Sequence, residues 1–176
     1  MENHSSLAVT FGRFNLPHPG HVDLIKRMLE VADHAHVGVS SSKNNNWTEL
    51  RIEVLDQLCH HAGLNMERIT FFAASNPYEA VHFTTDDPLT GLAVPERIAN
   101  TTVVLGVDQT VLGERLRDDL GVKFVPNEVR VGSSTVIRYF LEIGEEQIVR
   151  EIYHNDEFIF ADILDLRQEE LSREKS

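Results

Sequence analysis

Three things are scarce in this sequence, and each scarcity excludes something. Cys59 is its single cysteine, so no intramolecular disulfide can form and a reducing, cytoplasmic setting is expected. Lys and Arg number 16 against 28 Asp and Glu, a formal net charge of -12 at pH 7. A chain this acidic is not built to coat phosphate backbones, so no nucleic-acid partner is expected, although a small anion can still be held locally. No apolar run approaches the roughly 18 residues that span a bilayer, and the polar start MENHSS has neither the basic nor the apolar region of a signal peptide. A soluble protein with no membrane partner is the expectation.

What is present is a regular alternation. With 176 residues, 41% of them hydrophobic, the chain has material for one domain with a sizeable core. Short β-rich runs at 7–11, 34–40, 68–74, 101–106 and 122–126 are separated by segments of helical period at 21–33, 48–63, 77–83 and 109–121. In the first helix Val22, Ile25, Leu29 and Ala32 recur at three and four residues; Thr48 is the expected N-cap of the second and Gly63 its stop. Strands alternating with helices predict an α/β fold, a doubly wound parallel sheet of about five strands. The expected layout is a single domain with a core over about 7–150, a helical C-terminal segment over about 151–170, and a charged, fraying tail at 171–176.

In such sheets ligands bind beyond the carboxyl ends of the strands, where strand order reverses. The stretch TFGRFNLPHPGH, residues 10–21, lies at the end of the first strand and places two glycines, two prolines and two histidines where a helix begins. Gly12 suits an unusual exit from the strand or a close ligand approach, and Gly20 opens the helix without covering its free amides. His18 and His21, three apart, can both turn toward a bound phosphate and donate to its oxygens. A metal pair or an ordinary surface turn would use the same residues.

GRFNLPHPGH resembles the HxGH signature of the nucleotidyltransferase superfamily, and more of the chain agrees with it. VGSSTVIRYFLEIG (131–144) resembles that superfamily's second signature, SSTxIR at a helix start, with Ser133, Ser134, Thr135 and Arg138. VGVSSSKNNNWTELRIEVL resembles its second strand, lysine loop and arginine-bearing helix, which implies Lys43 and Arg51 near phosphates; VVLGVDQT resembles its fourth-strand GxD segment, which implies Gly106 and Asp108 near the nucleotide. The GRF start, Gly12, Arg13 and Phe14, is similar to that of nicotinamide mononucleotide adenylyltransferases. Gly132 stands where many relatives carry an isoleucine.

The resemblance implies transfer of a nucleoside monophosphate from ATP to a phosphorylated acceptor with release of pyrophosphate, most closely nicotinamide mononucleotide adenylyltransferase in NAD biosynthesis. Cytidylyltransferase, phosphopantetheine adenylyltransferase and an inactive nucleotide-binding sensor are the alternatives. Such a reaction needs positioning and charge neutralisation rather than a protein nucleophile. His18 and His21 would hold the α- and β-phosphates. Ser133, Ser134 and Thr135 offer hydroxyls and amides at a helix N-terminus. Arg138 would chelate the β- and γ-phosphates through its planar fork, and Arg13 and Lys43 would compensate the acceptor phosphate and the leaving group. A magnesium ion is expected to be held mainly by the phosphates, with no all-protein metal site. The partners are then a nucleoside triphosphate and a small phosphorylated acceptor; assembly into a homo-oligomer stays open. Each residue also has a plainer role: the serines and Asp108 can cap helices, Lys43 can be a solvated loop lysine, and Arg51 can pair with a carboxylate on its own helix. Trp47 or Phe83 could stack on a nicotinamide or a base, although an aromatic in a loop more often serves packing, and His34, His36, His60, His61 and His82 are read as structural or surface residues.

Overall fold

The computed structural model describes residues 5–41, 47–128 and 133–174. The chain runs β1 (Leu7–Gly12), α1 (Pro19–Val31), β2 (His34–Ser40), α2 (Thr48–His61), β3 (Ile69–Ala74), α3 (Pro77–Thr85), α4 (Pro95–Ala99), β4 (Thr101–Gly106), α5 (Thr110–Leu120) and β5 (Lys123–Asn127). It closes with α6 (Ser134–Glu142), α7 (Glu146–Ile152) and α8 (Glu157–Glu174). The strands form one parallel sheet in the order β3-β2-β1-β4-β5, a Rossmann-like arrangement with a helical C-terminus.

β1 is central, with Val9 opposite both His36 of β2 and Val103 of β4. Its alternation divides the core in two. Ala8 belongs to a cluster with Val37, Val39, Ile25, Leu55 and Ile163, under α1, α2 and α8; Val9 belongs to a second, with Phe72, Ala80, Leu105 and Leu116, under α3 and α5. Side chains of period two thus serve both faces, as a parallel sheet covered on both sides requires. Because β2 and β3 lie on one side of β1 and β4 and β5 on the other, strand order reverses between β1 and β4, and a crevice opens beyond their carboxyl ends.

Element boundaries differ from expectation at three instructive places. Thr48 is not the N-cap of α2: Trp47 takes that position in a left-handed conformation (φ 69), and Thr48 opens the helix. The Thr48 hydroxyl is drawn instead to the carbonyl of Ser40 at the end of β2, 3.0 Å away. A short helix unforeseen in the sequence, α4, is set off by Pro95 in its first turn, where a missing N–H costs nothing. The expected fraying tail at 171–176 is helical to Glu174, because α8 packs Ile159, Phe160, Ile163 and Leu166 into the core and carries ion pairs through its last turns. Among the described residues no helix is long and apolar enough to cross a membrane.

Candidate active site

The loop after β1 carries the site, and its conformation is held from outside. Four of its backbone carbonyls are gripped by side chains from three separate parts of the fold. Arg51 of α2 donates to the carbonyl of Arg13, and Arg138 of α6 donates to that of Asn15 at 2.6 Å. Ser134 Oγ donates to Leu16 at 2.8 Å, and the Tyr153 hydroxyl, just past α7, donates to Pro17 at 2.5 Å. Leu16 itself is fully buried. A glycine- and proline-rich stretch that would otherwise wander is fixed by these donors, since each buried carbonyl would lose free energy if left unpaired. The strand's exit differs from expectation: Gly12 remains within β1, and the residue with positive φ is Phe14 (φ 50).

His18 and His21 lie at the start of α1 with ring centroids 3.8 Å apart. His18 is the N-cap. Its Nδ1 accepts from the Gly20 amide at 3.0 Å, and His21 Nδ1 accepts from the His18 amide at 3.2 Å, a reciprocal capping box built from two imidazoles. Two consequences follow. First, the amide of Gly20 is not free for an anion, and that of His21 donates to the carbonyl of His18. Second, with both Nδ1 atoms accepting, the neutral rings carry their protons on Nε2, so each presents one N–H donor. Burial keeps the rings neutral: it lowers His18 to about 4, with the Arg138 charge adding to the effect, and depresses His21 well below its ordinary value, with His18 adding.

These histidines open onto a cavity of about 330 Å³. Gly12, Arg13 and Phe14 line it from β1 and its loop, Gly20 from α1, Gly106 and Asp108 from the end of β4, and Ser133 and Ser134 from the start of α6. A Cβ on Gly106 would sit 2.6 Å from the Asp108 carboxylate, so glycine is what lets that carboxylate turn back against the strand end. Asp108 lies in a 3-10 turn ahead of α5, whose N-cap position is taken by Gln109. At α6, Ser133 caps the helix through Val136, which leaves the amides of Ser134 and Thr135 without a partner among the described residues. Thr135 is exposed and does not line the cavity.

The remaining expected site residues lie elsewhere. Arg51 is buried and does not line the cavity; besides the Arg13 carbonyl it bonds the Ser40 carbonyl and the Thr48 hydroxyl, both at 2.9 Å, stapling the carboxyl ends of β1 and β2. Arg138 lies outside the cavity lining, yet close enough for its charge to act on His18. Lys43 and Gly132 lie outside the described residues. Phe83 stacks on Phe72 in a different cavity, over β2 and β3. Asn127, Thr10 and Gln109 line the site and were not singled out in the sequence. Asn127 had one available signal: it ends β5, at the edge where ligands bind.

The geometry is that of a small crevice at a strand-order reversal, lined by two histidines, an arginine and the start of a helix, and the comparisons bear on what it belongs to. Residues 9–138 match the family model for cytidylyltransferase-like proteins. The chain belongs to this family. It is therefore a nucleotidyltransferase by membership. Among curated proteins no sequence match was found. Among solved structures, a protein described as a nicotinate-nucleotide adenylyltransferase from Vibrio parahaemolyticus aligns at TM-score 0.57 and 20% identity, over 80% of this chain and 83% of that one. A bifunctional NMN adenylyltransferase/ADP ribose pyrophosphatase from Francisella tularensis aligns at TM-score 0.53 and 16% identity over 78% of this chain. The chain spans 42% of that bifunctional protein's length. A structure of the same Francisella protein complexed with AMP and a manganese ion aligns at TM-score 0.51 and 13% identity, over 74% of this chain and 39% of that one. At these identities the likeness is one of fold.

Proposed function

We propose that the chain transfers the adenylyl group of ATP to nicotinamide mononucleotide, with release of pyrophosphate, acting in the cytoplasm as a single domain on small soluble substrates. The observation that carries this reading is the histidine pair: two neutral imidazoles, His18 buried and His21 half-buried, whose Nε2–H groups are left to donate at the switch point of the sheet. Donors held in place before the reaction stabilise charge that develops on phosphoryl oxygens without reorganising. His18 and His21 would donate to oxygens of the α- and β-phosphates, and the amide of Ser134 at the start of α6, with that of Thr135 next to it, would add donors from a helix N-terminus. Arg138 would chelate the β- and γ-phosphates. Arg13 and Lys43 would compensate the acceptor phosphate and the leaving group. Gly106 and Asp108 would meet the nucleoside, and Arg51 would act by holding the loop that carries Arg13.

The acceptor phosphate attacks the α-phosphorus directly. Both Nδ1 lone pairs already accept backbone N–H bonds and both Nε2 atoms carry protons, so neither ring offers a nucleophilic nitrogen in this tautomer. The α-phosphorus should therefore invert. Among the described residues no three His, Cys, Asp or Glu side chains converge as metal ligands, and Asp108 is the carboxylate that lines the cavity. A magnesium ion held mainly by the phosphates fits that donor set and would supply charge neutralisation of the triphosphate.

The test is pyrophosphate release with ATP and CTP against a panel of nicotinamide mononucleotide, nicotinate mononucleotide, phosphopantetheine and glycerol phosphate. Fastest turnover with ATP and nicotinamide mononucleotide is expected. Cytidylyl transfer to a phosphorylated alcohol, with no dinucleotide formed, would replace the substrate assignment. Absence of pyrophosphate with every pair would leave a nucleotide-binding sensor.

A further inference from the structure

Arg138 is expected to meet phosphate, yet it is outside the cavity lining and its described partners include a carboxylate of the C-terminal helix. Its Nε lies 3.0 and 3.2 Å from the two carboxylate oxygens of Glu170 in α8, and its Nη2 lies 2.8 Å from Oε2. Nη2 also donates to the carbonyl of Asn15, two residues past Arg13 in the histidine loop. A guanidinium has five N–H donors. Three are directed by these contacts, and the two on Nη1 have no partner among the described residues. Glu170 is itself enclosed, its side chain 12% exposed against 28% for Arg138, and Arg167 Nη1 approaches it at 3.7 Å from one turn back.

We propose that Glu170 is a positioning residue: it orients the Arg138 guanidinium through the Nε–Nη2 edge so that the Nη1 edge is presented to the triphosphate. This rests on the functional reading above and extends the site to α8, an element beyond the residues the family model matches. A free arginine samples many rotamers and must be ordered when a phosphate binds, whereas one already clamped by a carboxylate and a carbonyl loses little more. The carboxylate is suited to this because it accepts from one edge of the fork while leaving the other edge's donors intact. Glu170 also ties α8 to the loop that bears the histidines, since the same Arg138 nitrogen contacts both Glu170 and Asn15.

The test is binding of a non-hydrolysable ATP analogue to the wild type, Glu170→Gln, Arg138→Ala and the double variant, with thermal melts of each. In the wild-type background Glu170→Gln should weaken analogue binding on the order of tenfold, and in the Arg138→Ala background it should change binding no further, whatever happens to the melting temperature. In turnover the loss should appear in KM for the triphosphate rather than for the acceptor. Unchanged or tighter binding in Glu170→Gln would overturn the proposal, tighter binding because Glu170 would then compete with phosphate for Arg138. An equal loss in the Arg138→Ala background would also overturn it, as a structural effect. Wild type that binds no triphosphate analogue would overturn the functional reading and this inference together, whereas wild type that binds, with Glu170→Gln equal to it, would overturn this inference alone.

Discussion

His18 and His21 matter as a pair because each ring's Nδ1 does structural duty and so commits Nε2–H to the cavity. Protonating His18 would destroy the cap it gives Gly20. The folded chain holds His18 at about 4 against an ordinary 6.5, as it also does His36, which bonds Thr84 under α3. In the window between these values the unfolded chain binds protons that the folded chain refuses, so stability must fall as pH drops from 6.5 toward 4. For His18 the loss is on the order of 2 to 3 kcal/mol across the window, worth several degrees in melting temperature. Melts at half-unit steps should show the decline, and His18→Gln should make it shallower, with His21 and His36 keeping the remainder; an unchanged midpoint from pH 6.5 to 4 would mean that the rings are not held neutral. Arg138→Lys keeps the charge and loses the planar fork, so it should raise KM for the triphosphate while the fold survives. Unchanged kinetics would remove Arg138 from the site.

At the scale of elements, the histidine loop depends on its surroundings more than on its own sequence. Tyr153, wholly buried, sends its hydroxyl to the Pro17 carbonyl beside His18. Tyr153→Phe removes only that donor and should cost about 1 to 3 kcal/mol by leaving a buried carbonyl unpaired. It should also lower kcat, because the loop that aims His18 loses one of its fasteners; a lower melting temperature with kcat intact would show that the other three carbonyl contacts suffice. How much of this could be read from the sequence divides along the same line. The strands, the histidine loop and the capping Ser133 were legible, because periodicity and turn chemistry are local. The directions of Arg51 and Arg138 were not. Both are long side chains whose partners, the carbonyls of Arg13 and Asn15 and the carboxylate of Glu170, come from segments 32 to 123 residues away in sequence. Thr48 illustrates the same limit on a small scale: a good capping residue was captured by the Ser40 carbonyl of a neighbouring strand.

On the scale of the whole molecule, the strand order sets β1 beside β4, their pairing stops at Val9 and Val103, and the cavity beyond their carboxyl ends is lined by residues from Thr10 to Ser134. The C-terminal helices complete the same unit: α8 packs on α2 and, through Glu170 and Arg138, reaches the loop of β1. The chain carries a formal net charge of -12, so the proposed binding of a triphosphate by neutral histidines, backbone amides and arginines would be a matter of local geometry rather than of overall charge. The central claim is that this cavity performs nucleotidyl transfer with His21 as a fixed donor. The direct measurement is the rate of pyrophosphate release from ATP and nicotinamide mononucleotide by the wild type and by His21→Ala, with a thermal melt of each. Removing one such donor costs about 2.7 to 4 kcal/mol of transition-state stabilisation, so His21→Ala should turn over on the order of 10² to 10³ times more slowly while its melting temperature moves by only a few degrees. Equal rates in the two proteins would contradict the claim.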